Sequence, residues 1–154
     1  MSQTGLMERL PHRAPMALVE HIDDLNVAAG TLRARTAPFS AHQLLAASFR
    51  RPARCWPPAL MLEAWCQAAG LLLIAGQHTA PGPLAVLISR LAEVHQLRAP
   101  QEEEPLILTV TRTAHFEVAD QFCGLVRTAD GAAITSVGQL TATVRPIEDL
   151  KERR

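Results

Sequence analysis

The pattern of apolar and polar positions divides the chain into a mixed first half and a strand-rich second half. Residues 4–10 predict a short helical turn, with Thr4 as its cap and Leu10-Pro11 as its stop. Residues 16–22 are apolar enough for a strand, and 26–30 carry turn chemistry. Over 31–36, Leu32 and Ala34 alternate with Arg33 and Arg35, which predicts a half-buried strand closing a hairpin. Residues 41–48 suggest a short helix, followed by a basic loop punctuated by Pro52, Pro57 and Pro58.

Pro58 suits the first position of a helix, where a missing N–H costs nothing. The helix runs to about Ala75 and ends near Gly76. Leu60, Met61, Leu62, Ala64, Trp65, Ala68, Ala69 and the run 71–74 cover nearly all its faces. A helix apolar all round must be buried all round. Strands are predicted over 84–96, 106–117, 121–128 and 132–144, with Asp130-Gly131 as a hairpin turn and Gly138 as a bulge marker. One helix and about six strands predict an α+β fold in which an antiparallel sheet curls around the helix. A sheet covers only part of a helix, so the remainder is expected to meet a second subunit.

At 154 residues the chain is read as one domain, with its core over about 10–146 and a frayed basic tail over 147–154. Lys and Arg number 15 and Asp and Glu 15, which removes the electrostatic case for nucleic acid or an anionic membrane surface. Residues 68–76 lack polar side chains, but a membrane span needs about twenty residues, and Glu63 and Gln67 interrupt a longer reading. Cys55, Cys66 and Cys123 form no CxxC spacing and read as small buried hydrophobes. With no signal peptide in the opening residues, the expectation is a reducing, cytoplasmic setting. No pair of histidines has helical metal-ligand spacing, so no metal is expected.

Glu63 is the chemical oddity. A carboxylate inside a greasy helix is costly unless paired or working. Gln67 lies four residues on, on the same face, within reach of it.

Leu60-Met61-Leu62-Glu63-Ala64-Trp65-Cys66-Gln67-Ala68-Ala69-Gly70 resembles the L-x-L-E-A-x-x-Q-A-A-G helix of the small 3-hydroxyacyl-[acyl-carrier-protein] dehydratases. Leu10-Pro11-His12-Arg13-Ala14-Pro15-Met16, with Leu18-Val19-Glu20, resembles their opening, Pro38-Phe39 the segment before their active-site loop, and Leu97-Arg98-Ala99-Pro100 a later turn. The resemblance implies the hotdog fold, a long central helix wrapped by a curled antiparallel sheet. It also implies dehydration of a 3-hydroxyacyl thioester by a histidine and a helix carboxylate from neighbouring subunits, with no metal or organic cofactor. The acyl chain would ride on the phosphopantetheine of an acyl carrier protein and lie in an apolar tunnel between subunits.

By this resemblance Glu63 is the catalytic carboxylate, and Gln67, Trp56, Leu60 and Ser48 are candidates for the substrate tunnel. The family loop G-H-F-P-G-x-P is not kept: Ser48 falls where the histidine belongs, one residue further from Glu63 than usual. Where the family has a glycine amide at the helix start, Pro58 has no N–H. His42 is the candidate substitute base, while His12, in the opening motif, is assigned a structural hydrogen bond. Arg50, Arg51 and Arg54 are candidates for docking the acidic carrier protein or its phosphate, against an ordinary solvated loop. The expected function is therefore a dehydratase subunit giving Glu63 to a site shared with a second hotdog subunit, in fatty-acid, polyketide or polyene biosynthesis. The alternatives are a self-sufficient homodimer using His42, a non-catalytic scaffold or acyl-binding subunit, and a hotdog thioesterase.

Overall fold

The computed structural model describes residues 3–42, 47, 55–77, 84–99 and 104–151. The elements in chain order are α1 (Gln3–Met7), β1 (Val19–Asn26), β2 (Thr31–Thr36), a 3-10 turn (Phe39–Ala41), α2 (Pro58–Ala75), β3 (Leu84–Gln96), β4 (Ile107–His115), β5 (Asp120–Arg127), β6 (Ala133–Pro146) and α3 (Ile147–Lys151). The six strands form one antiparallel sheet in the order β1-β2-β4-β5-β6-β3, and α2 packs against it. This is the hotdog arrangement that the sequence resemblance implies.

Helix α2 begins with Pro58 in its first turn, and Gly76 caps its end. Gly76 does so in right-handed backbone (φ −73°), so its conformational freedom is not what stops the helix. From Gln67 to Ala75 every residue is buried. Trp65, Met61, Leu71, Leu72 and Ile74 pack there with Ile22, Leu32, Leu108, Phe122 and Leu140 of the sheet. Each such side chain contributes about 1.5–3 kcal/mol by leaving water. Among the described residues α2 is the one helix long and apolar enough to cross a membrane, and 67% of it lies inside the fold, as a core helix does.

The indole of Trp65 donates to the Thr109 carbonyl at 2.9 Å, fixing α2 to β4. Gly124 makes this approach possible. A Cβ there would stand 1.9 Å from the Thr109 oxygen and 3.0 Å from the Trp65 nitrogen. Gly131, at φ +90°, supplies the left-handed residue of the β5–β6 turn. The β5–β6 register shifts between Phe122 and Gly124, opposite the stretch of β6 that holds Gly138, which agrees with its reading as a bulge marker.

The predicted bounds of β2, β3 and α2 coincide with those observed. Strand β1 is displaced, starting at Val19 and not at residue 16. Its inward residues Val19 and Ile22 are three apart because the pairing with β2 shifts register between Val19 and His21, so simple alternation misplaces it. Residues 147–151, read from sequence as part of a frayed tail, form a helical turn with Glu148 and Asp149 at its start. The three thiols are free, and each is half-buried where full burial was expected.

Among the described residues, two open surfaces bear on the site. Strand β3 lies at a sheet edge and exposes Leu87, Ile88, Leu91 and Val94, with Leu97 just beyond it. On the N-terminal half of α2, Leu60, Leu62, Glu63 and Cys66 are only half covered by the chain itself.

Candidate active site

Glu63 lies in the second turn of α2, and Gln67 follows it by one turn. Gln67 is 2% exposed, a burial that an amide tolerates only when its polar atoms are matched. Its Nε2 donates to Glu63 Oε1 at 2.8 Å and to the Met16 carbonyl at 2.8 Å. Its Oε1 accepts the Leu18 N–H at 2.9 Å. One side chain thus pins the irregular segment before β1 to the helix and orients the carboxylate.

The same segment brings His12 to the site. His12 Nε2 stands 3.2 Å from Glu63 Oε1, and both side chains are one-third exposed. The neighbouring residues explain this placement. Leu10 is buried in the core, and the Arg13 guanidinium gathers the carbonyls of Glu8, Leu10 and His12. His12 therefore hangs between two anchors, Arg13 and the Gln67 clamp. Its Nδ1 is buried without a partner among the described residues. With the ring proton on Nε2, Nδ1 is a bare acceptor, a less costly atom to leave unmatched than an N–H. A groove of about 440 Å³ adjoins His12, walled by Met7, Glu8, Arg13, Ala17 and Glu20.

The structural role assigned to His12 from the opening motif thus includes a close contact with Glu63, which sequence reasoning did not identify. The available signal was its place in the motif, directly after the core anchor Leu10 and the chain-stopping Pro11.

His42 follows the 3-10 turn and meets Trp56 edge-on, with ring centroids 5.4 Å apart. Burial holds its imidazole below the ordinary value of 6.5, and the charge of Glu20 opposes this in part. Its Nε2 is also buried without a partner among the described residues. Within one chain the imidazole beside Glu63 is that of His12, and no ion pair joins Glu63 to His42. Trp56 is 1% exposed, packs on Phe39 with centroids 5.1 Å apart, and donates its indole N–H to the Glu104 carbonyl at 3.2 Å. Leu60 stays half-buried one turn before Glu63. Ser48, Arg50, Arg51 and Arg54 lie outside the described residues. Neither Pro57 nor Pro58 has an N–H to offer at the helix start. The Cys66 thiol, beside this face, is pushed up to about 12, first by burial and then by the charge of Glu63, so it stays protonated.

Besides the His21–Asp23 contact at 3.8 Å on β1, a further histidine–carboxylate pair lies toward the far end of α2. His115 Nδ1 meets Asp120 Oδ1 across the β4–β5 hairpin, and Arg112 stands 3.9 Å from the other Asp120 oxygen. A cavity of about 200 Å³ beside it is lined by Leu73, Gln77, Phe116, Thr143 and Arg145. Leu73 is ten residues beyond Glu63 along α2, a rise of roughly 15 Å, so this pair and His12–Glu63 form separate sites. Among the described residues no group of three or more His, Cys, Asp or Glu converges as a metal site.

Comparison with known proteins places the fold. No protein-family model matches the chain, and no curated protein sequence matches it. Among solved structures, the chain is similar to the dehydratase heterocomplex ApeI:P from Xenorhabdus doucetiae, with a TM-score of 0.74 and 17% identity over 96% of this chain and 95% of that one. It is also similar to a hypothetical thioesterase from Streptococcus pneumoniae solved with coenzyme A, with a TM-score of 0.65 and 11% identity over 94% and 98%. A third is the thioesterase HI1161 from Haemophilus influenzae, with a TM-score of 0.57 and 13% identity over 84% and 79%. At these identities the likeness establishes the fold: the chain is a hotdog-fold protein.

Proposed function

We propose that the chain is a subunit of a 3-hydroxyacyl-thioester dehydratase, a hydro-lyase, and that it supplies Glu63 to a site completed by a second hotdog subunit. The observation that carries this reading is the state of Glu63. Its carboxylate is oriented through one oxygen by Gln67 and His12, yet it stays one-third exposed on the half of α2 that the chain's own sheet leaves open. A pairing this open to solvent adds little to stability.

The elimination needs a base for the α proton and an acid for the departing hydroxyl. Glu63 takes the role of acid. The base comes from the partner, or from His42 if the partner is a second copy. An open β3 edge bearing Leu87, Ile88, Leu91 and Val94 supports a partner subunit, since such an edge is a ready template for another chain. The likeness to a dehydratase heterocomplex supports the same choice. The substrate is assigned as an acyl chain on the phosphopantetheine of an acyl carrier protein, in fatty-acid, polyketide or polyene synthesis. Arg50, Arg51 and Arg54 are the docking residues of this reading.

The test presents 3-hydroxyacyl-carrier-protein thioesters to the full chain, alone and with a co-expressed hotdog partner, and follows products by mass spectrometry. The expected product is the enoyl thioester, and Glu63→Gln lowers its formation by about a hundredfold or more. Undiminished turnover by Glu63→Gln overturns the assignment. Turnover by the chain alone that His42→Ala abolishes makes it a self-sufficient homodimer. Release of free thiol makes it a thioesterase, the activity named for two of the similar structures. Full turnover by the partner alone leaves this chain a scaffold.

A further inference from the structure

We infer that His12 is a positioning residue for Glu63: its Nε2–H and the Gln67 amide form a two-donor cradle on Oε1 that stabilises the charge Glu63 acquires when it gives up its proton. The inference rests on the dehydratase reading and gives a role to a histidine outside the loop that the resembled family uses.

Both contacts fall on one carboxylate oxygen. Gln67 Nε2 reaches Oε1 at 2.8 Å and His12 Nε2 reaches it at 3.2 Å. Neither holds Oε2, so Oε2 is the oxygen that carries the transferable proton. In the protonated acid Oε1 is then the carbonyl oxygen, a good acceptor for two N–H donors.

The elimination balances as follows. The α C–H proton goes to the base, and its electron pair forms the double bond between the α and β carbons. The bond from the β carbon to oxygen breaks, and the departing hydroxyl takes the proton from Glu63 Oε2 to leave as water. Glu63 is left as a carboxylate, its charge shared with Oε1, to which Gln67 donates and beside which His12 Nε2 lies 3.2 Å away. Donors set in place before the charge appears need no reorganisation at the moment of reaction. Proton exchange between base, carboxylate and solvent resets the site.

The fold keeps both donors in place. Gln67 is buried and tied to residues 16 and 18. His12 is tied through Arg13 to the carbonyls of Glu8 and Leu10, with Leu10 in the core. The cradle is built entirely within one chain. A subunit lacking the loop histidine can therefore still present an oriented carboxyl group to a base supplied by another.

The test uses the full chain in the assembly that turns over. His12→Phe removes the donor, and His12→Gln keeps one. The expected result is a kcat about a hundredfold lower for His12→Phe, with KM within about twofold. His12→Gln recovers roughly tenfold of that loss and guards against a folding defect in the bulkier variant. A second readout needs no activity: in the 15N spectrum of the intact chain, Glu63→Gln shifts the His12 Nε2 resonance. Unchanged kcat in His12→Phe, a change confined to KM, or a ring signal indifferent to Glu63→Gln overturns the inference. If no 3-hydroxyacyl thioester is dehydrated, the dehydratase reading falls by itself. A responsive His12 signal then still supports the cradle for whatever proton transfer Glu63 performs, and a silent one removes it.

Discussion

Two of the histidine–carboxylate pairs, His12–Glu63 and His115–Asp120, share their exposure differently. At His115–Asp120 the carboxylate is buried, with 6% of its side chain exposed, and the imidazole is 70% exposed. The two residues are five apart and directly opposed across a hairpin, so the backbone alone makes them neighbours. At His12–Glu63 both partners are one-third open, and no local geometry joins them. Their contact depends on Arg13 folding the segment 8–12 and on Gln67 clamping residues 16 and 18. The first pair closes a turn. The second costs the chain a buried amide and an ordered irregular segment, and it leaves the acid accessible, which suits chemistry and does little for stability.

Loss of the clamp should separate the two pairs most sharply. Gln67→Leu leaves the buried Leu18 N–H and the half-buried Met16 carbonyl without their partner, and about 2 kcal/mol of stability is expected to vanish in a urea titration. Turnover should fall with it, because Glu63 loses its closest donor. At the other pair, Asp120→Ala should cost about 2 kcal/mol by leaving Arg112 without its carboxylate. Its kcat should stay within about twofold of the parent, and a larger fall would tie the hairpin to the active site.

His42 should contribute a smaller, pH-dependent effect. Its pKa lies below the ordinary 6.5 in the folded chain, so below that value the unfolded chain binds the extra proton more readily. Stability should then decline as pH drops from about 7 to 5, and the slope should be shallower in His42→Gln. A slope that steepens in the variant would refute a desolvated imidazole. The mildest expectation concerns Cys66, whose thiol is held protonated to about 12. It should resist iodoacetamide at about pH 8 in the folded protein and react once urea unfolds it. Glu63→Gln should quicken the native reaction only slightly, since burial outweighs the carboxylate's charge.

These contrasts track what the sequence made legible. Helix α2 was readable end to end, because Pro58 and Gly76 mark its limits and the residues between are apolar on every side. Strand β2 was readable because Leu32 and Ala34 alternate with two arginines. The Glu63–Gln67 contact followed from four-residue spacing on one helix. The meeting of His12 with Glu63 did not, because it is set by an irregular segment whose path depends on tertiary hydrogen bonds. Strand β1 was misplaced for the same reason, since its start depends on where the clamped segment ends. The His115–Asp120 pair was missed because a cross-strand pair depends on register, which strand bounds alone do not fix.

The uncovered margin of β3 bears on how the chain survives before it is at work. A long strand with unsatisfied amides and aliphatic side chains in the open is a seed for mispaired ribbons. A copy with this edge unpaired should therefore be prone to clump, and any partner that pairs with it should raise the yield of usable protein.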